Sequence, residues 1–156
     1  MIKVLFICHG NICRSPMAEL LFKEYVRKKG KEKYFLIDSA ATSLEEIGNP
    51  VHYGTRKILD SLNIDYTHNR AKQITLDMYK NFDYIIIMDE YNRYNITRRL
   101  GETYSYKIHK LLDYTSTPKD IADPWYTGDF ELTYQEIKMG LEAFYSFLEK
   151  NGKIGE

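Results

Sequence analysis

The run VLFICHGNICRSPMAEL, residues 4–20, divides into three parts whose order sets the architecture. Its beginning completes IKVLFI at 2–7, a run apolar but for Lys3, as expected of a strand buried on both faces. Its end opens MAELLFKEYVRKK, where Met17, Leu20, Leu21 and Tyr25 recur at helical spacing before Gly30. Ser15 and Pro16 suit the N-cap and first helical positions. Between them lies CHGNICR, a short loop that holds both cysteines of the chain, Cys8 and Cys13, followed directly by Arg14.

Outward from this unit, strand and helix patterns alternate. YFLIDSA (34–40) and DYIIIMD (83–89) read as strands, and YKIHKLL (106–112) as a weaker one. Helices are predicted at 52–62 despite Gly54, around 76–81, over 90–100 before Gly101, and over 131–151 before Gly152. Residues 113–129, with Pro118 and Pro124, read as a loop. This alternation predicts an α/β fold in three layers: a four-stranded, mainly parallel sheet flanked by helices, with the loop between the first strand and first helix at a carboxyl edge.

The bulk numbers narrow the classes. A chain of 156 residues is expected to form one compact domain, 1–156. Lys+Arg and Asp+Glu are both 22, so no basic excess points to nucleic acid. No run approaches the roughly 18 apolar residues of a membrane span, and MIKVLFIC is too short for a secretory segment. Two cysteines do not make a disulfide scaffold at this length, so a cytoplasmic protein is expected.

Cys8 and Arg14 give the pattern C-x5-R-S. A loop of that length can curl so that its backbone N–H groups converge on one anion, helped by the following helix N-terminus. Gly10 and Asn11 tolerate the left-handed angles such a curl needs, and Arg14 can fork onto two phosphate oxygens. A thiol at the mouth of that loop faces positive potential, which favours the thiolate. Three other readings compete. A zinc site lacks C-x2-C, and His9, His52, His68 and His109 show no ligand spacing. Two core cysteines would leave the flanking Gly-Asn and Arg-Ser without a reason. A phosphate-binding loop without catalysis uses the same residues.

VLFICHGNICRSPMAE resembles the signature of the low-molecular-weight protein tyrosine phosphatases, V-C-x-G-N-I-C-R-S-P, and the resemblance continues through DSA (38–40), FDYIIIMDEYN (82–92) and DPWY (123–126). It implies a single phosphatase domain working in two steps without metal or other cofactor. Cys8 would be the nucleophile, Arg14 and the amides of His9, Gly10, Asn11, Ile12 and Cys13 the phosphate cradle, and Ser15 a donor to the sulfur. Asp123 would be the general acid, with Trp125 and Tyr126 flanking the substrate ring. Asn11 would hold the loop with Ser39 and His68 as supports, Asp89 would position a loop, and Cys13 would guard Cys8 against over-oxidation. Expected partners are phosphotyrosine proteins and, in the loop, phosphate or oxyanion inhibitors, with neither nucleic acid nor membrane.

Two positions depart from the family pattern. His9 stands where an apolar residue is usual, and TSLEEIG (42–48) carries Glu45 and Glu46 where an aromatic is frequent. Acidic residues there should disfavour strongly acidic phosphopeptides. Among rivals, thiol-dependent arsenate reductases need further cysteines, and none follows Cys13. Protein-arginine phosphatases of the same family carry threonine where this chain has Ile12, which favours phosphotyrosine. A thiol redox protein and a non-catalytic binding module are the readings from other classes.

Overall fold

In the computed structural model, which describes residues 1–155, four strands form one wholly parallel sheet. β1 (Ile2–Cys8), β2 (Phe35–Ala41), β3 (Tyr84–Ile87) and β4 (Ile108–Lys110) lie in the order β2-β1-β3-β4. The connection from β2 to β3 crosses β1, so the carboxyl end of β1 is the switch point where crevices open in such sheets. Cys8 is the last residue of β1 and pairs in register with Ala41.

The period of two in β1 assigns its two faces. Val4, Phe6 and Cys8 point toward a core built with α1 (Arg14–Lys28) and α6 (Phe130–Lys150). Leu5 and Ile7 face the opposite core, which includes Ile85 and Ile87 of β3, Tyr79 of α3 (Leu76–Asn81) and Ile96 of α4 (Glu90–Leu100). Both faces are therefore apolar, which is why residues 2–7 do not alternate. The remaining helices are α2 (Tyr53–Ser61), which packs against α6, and the single turn α5 (Pro124–Thr127). Among the described residues no helix is long and apolar enough to cross a membrane.

The expected α/β architecture is the one that forms, with local corrections. The first helix begins at Arg14, with Cys13 in the cap position, not at Ser15. The Ser15 hydroxyl lies beside the Cys8 sulfur instead of capping its own helix. The strand expected at 106–112 is reduced to three residues, because 3-10 turns at Ser105–Lys107 and Leu111–Tyr114 bracket it. The expected loop at 113–129 contains α5, started by Asp123 as N-cap and Pro124 at N1, and closed by Gly128 at φ 74°.

Gly140 shows how closely α6 is seated. A Cβ there would lie 2.6 Å from Leu111 Cγ, and Leu111 is fully buried. Gly140→Ala is expected to lower unfolding stability by about 1–3 kcal/mol. An unchanged urea midpoint would show that this contact relaxes freely.

Candidate active site

The loop from Cys8 to Arg14 is held open from outside. Thr42 N–H donates to the Cys8 carbonyl (3.0 Å), Ser43 N–H to that of His9 (3.1 Å), His52 N–H to that of Ile12 (2.8 Å) and Met17 N–H to that of Cys13 (3.2 Å). With these carbonyls turned outward, amides are left to face the centre of the loop. Those of Gly10 and Ile12 have no protein acceptor among the described residues. Asn11 takes φ 59°, a left-handed angle unusual for a non-glycine residue. Gly10 lets the chain pass beneath Glu46, whose Cγ would lie 3.3 Å from a Cβ at this position.

Three donors surround the Cys8 sulfur. Asn11 N–H lies 3.3 Å and Ser15 N–H 3.4 Å from Sγ, and the Ser15 hydroxyl lies at 3.1 Å. This set fixes the sulfur at the centre of the loop, facing the amides that surround it. Cys13 is different. Burial, first, and the neighbouring charges of Cys8 and Asp123 push its thiol well above the ordinary range, so it stays protonated.

Asn11 secures its backbone angle with three side-chain bonds. Nδ2 donates to Ser15 Oγ (2.7 Å) and Ser39 Oγ (2.9 Å), and Oδ1 accepts from Lys72 N–H (3.2 Å). Ser39 in turn donates to Glu19 Oε1 (2.5 Å), which also accepts from Asn69 Nδ2 (2.9 Å). The expectation for His68 therefore fails. That side chain is 93% exposed, and among the described residues its one ion-pair neighbour is Asp65, at 3.9 Å, while the adjacent Asn69 points into the network. Glu19 and Lys72 were not anticipated.

Arg14 is 2% exposed. Its Nη1 donates to Asp89 Oδ2 and to the Ile121 carbonyl, both at 2.7 Å, and Nη2 reaches Asp123 Oδ2 at 3.4 Å. Desolvation, the largest single influence, works against its charge, but Cys8, Asp89 and Asp123 together outweigh it and raise its pKa. Asp89 can serve because it is the N-cap of α4, in a reciprocal capping box with Asn92 that fixes its carboxylate. Arg14 Nε is buried without a protein partner among the described residues. One Nη thus anchors the guanidinium, leaving donor capacity for an oxyanion.

These groups open into one cleft. It is lined at its floor by Cys8 and Ile12, and at its walls by His9, Glu45, Glu46, Asp123, Trp125 and Tyr126. His9 Nε2 pairs with Glu45, drawing residues 42–48 onto the loop. Trp125 and Tyr126 are 56% and 81% exposed, so neither is committed to the core. Asp123 Oδ1 caps Trp125 N–H (3.0 Å), which keeps the carboxyl group at the cleft edge. Among the described residues no three His, Cys, Asp or Glu side chains are grouped to hold a metal ion. Converging amides, a guanidinium, a cysteine sulfur held by three hydrogen-bond contacts and a nearby carboxyl group suit transfer of a phosphoryl group to sulfur.

Residues 3–154 match the family described as low molecular weight phosphotyrosine protein phosphatase. The chain is 42% identical over 156 residues to the low molecular weight protein-tyrosine-phosphatase YfkJ of Bacillus subtilis, covering 99% of this chain and all of that one. The crystal structure of YfkJ superposes with a TM-score of 0.93 over 97% of this chain and 96% of that one. SP-PTP, the low molecular weight protein tyrosine phosphatase of Streptococcus pyogenes, superposes with a TM-score of 0.86 at 42% identity, covering 95% and 93%. The YwlE arginine phosphatase, from B. subtilis, is more distant, at 25% identity and a TM-score of 0.83 over 96% and 97%.

Proposed function

The chain belongs to the low molecular weight phosphotyrosine protein phosphatase family, and from that membership we propose that it hydrolyses phosphotyrosine in proteins through a phosphorylated Cys8. The observation that carries this reading is the convergence of three hydrogen-bond donors on one sulfur at the floor of a cleft walled by Asp123. Cys8 Sγ attacks phosphorus as the bond to the tyrosine oxygen breaks. Arg14 and the inward amides hold the three equatorial oxygens, whose charge they meet without reorganising. Asp123 gives its proton to the departing phenolate, then takes one from the water that attacks the phosphocysteine. Ser15 donates to the sulfur as it leaves. Trp125 and Tyr126 flank the aromatic ring of the substrate.

Asp123→Ala is expected to lower kcat on an aryl phosphate by about 10²–10³-fold while leaving inhibition by inorganic phosphate nearly intact. A loss confined to KM would reassign Asp123 to binding. Side-by-side rates on phosphotyrosine and phosphoarginine test the substrate class. Faster phosphoarginine hydrolysis would move the protein to the activity of its more distant relative. Ile12 and the exposed pair Trp125 and Tyr126 favour the aromatic substrate.

Glu45 and Glu46 bear on which phosphotyrosine sites are preferred. A peptide with lysines beside its phosphotyrosine is expected to react about fivefold faster, by kcat/KM, than one with glutamates, consistent with the small worth of exposed charge pairs. Glu45→Gln/Glu46→Gln should erase that ratio, and a ratio indifferent to the change would remove these residues from selectivity. Cys8 must be reduced to act, which fits the cytoplasm. Should Cys8 be oxidised to the sulfenic acid, the Cys13 thiol can condense with it to a disulfide, releasing water and blocking further oxidation.

A further inference from the structure

His52 stands outside the reaction just described, yet it touches both halves of the machinery. Its N–H donates to the Ile12 carbonyl (2.8 Å), which ties it to the loop that carries Cys8. Its ring stacks on Phe130, with centroids 5.2 Å apart and planes at 9°, and meets Trp125 edge to face at 5.5 Å and 72°. Trp125 and Phe130 lie on either side of Gly128, so one imidazole grips both ends of the segment that begins at Asp123. Trp125 also hands its N–H to the Asp123 carboxylate at 3.0 Å. Contacts therefore run without a gap from Ile12 through His52 and Trp125 to the acid.

Two further features show that this packing is built. His52 Nδ1 accepts from Gly54 N–H (3.1 Å) as the N-cap of α2, so the ring hydrogen sits on Nε2. Burial, first, and the nearby Arg56 lower its pKa, which keeps the ring in the neutral form this acceptor role needs. Gly54, an unfavourable residue in a helix, has its explanation here. A Cβ at that position would lie 2.5 Å from the Phe130 ring and would push it off His52.

We propose that His52 is a positioning residue for the general acid: its ring, fixed to the phosphate loop, holds the Trp125–Phe130 segment so that Asp123 lies in line with Cys8. This rests on the assignment of Asp123 as the acid. Loss of an acid's alignment has a signature that general destabilisation lacks. In the step that forms the phosphocysteine it slows substrates with poor leaving groups, which need a proton, and spares those with good ones.

The test compares phenyl phosphate with 2,4-dinitrophenyl phosphate for several variants, alongside thermal melting and inhibition by inorganic phosphate. His52→Asn keeps a capping side chain and removes the ring. It is expected to lower kcat/KM, which reports the step that expels the phenolate, about tenfold on phenyl phosphate and twofold or less on the dinitrophenyl ester, with phosphate inhibition unchanged. Phe130→Leu, which removes the stack and leaves the cap, should give the same graded loss. His52→Phe keeps the ring and loses the cap, so it should melt lower while retaining the wild-type leaving-group pattern. Equal losses on both esters, no loss, or a His52→Phe variant as impaired as His52→Asn would overturn the proposal. Asp123→Asn separates the two levels. A graded loss there with none in His52→Asn sinks the positioning role alone, whereas a flat response there removes the acid assignment and this proposal with it.

Discussion

Cys8→Ser is expected to reduce turnover of p-nitrophenyl phosphate by at least about 10⁴-fold while the fold persists. The substitution keeps the position at the end of β1 and the neighbouring Asn11 and Ser15 donors. What it removes is the sulfur nucleophile, since a serine hydroxyl is far harder to ionise than a thiol and a far weaker nucleophile in its neutral form. The fold tolerates the change because Cys8 and Ser differ little in size and Cys8 already lies among polar groups. Acid-quenched mixtures should contain phosphate bound to the Cys8 peptide in the wild-type protein and none in the variant. Wild-type rates from Cys8→Ser would overturn the mechanism, and phosphate recovered on another residue would relocate it.

Arg14→Lys comes second, at about 10³-fold in kcat. The guanidinium works on two sides at once. Nη1 is spent on Asp89 and on the Ile121 carbonyl, while Nε has no protein partner among the described residues and Nη2 makes only the long contact to Asp123, so both keep donors for the phosphoryl oxygens. A lysine ammonium is a single point of charge on a flexible stem, so it can pair with Asp89 or reach the phosphate, without the fixed fork that serves both. Because the protein keeps a buried cation opposite Asp89, the loss should fall on rate far more than on stability. A lysine variant within tenfold of wild-type kcat would show that the bidentate geometry is dispensable.

How far the site was legible in the sequence follows from how each part is encoded. Cys8 and Arg14 belong to one contiguous loop between a strand and a helix, so spacing alone brings them to a common centre. Asp123 stands 109 positions beyond Arg14, and only the family resemblance suggested that the two would meet. The helices at 76–81 and 90–100 match α3 and α4 because caps and hydrophobic spacing agree there. The turn at α5 was missed for a physical reason. Asp-Pro reads as a break, yet proline suits the first turn and aspartate its cap, so the pair starts a helix as readily as it ends one. His68 and Asn69 are neighbours in a loop with no periodicity, and a one-residue phase decides which side chain faces inward. Glu19 looks like a surface charge on an amphipathic helix, and only Ser39 from β2 and Asn69 from a distant loop reveal it as buried structure.

The outward-turned carbonyls of the loop have one more consequence. Amide dipoles aimed at a common centre repel one another, and Arg14 adds its own charge beside them. Any oxyanion that enters relieves this repulsion, and because the unfolded chain has no such centre, binding shifts the folding equilibrium toward the native state. Inorganic phosphate is the product of the proposed reaction. The phosphate released at each turnover would thus be both the enzyme's competitive brake and a ligand that sustains its fold, linking the protein's lifetime to the phosphate level around it.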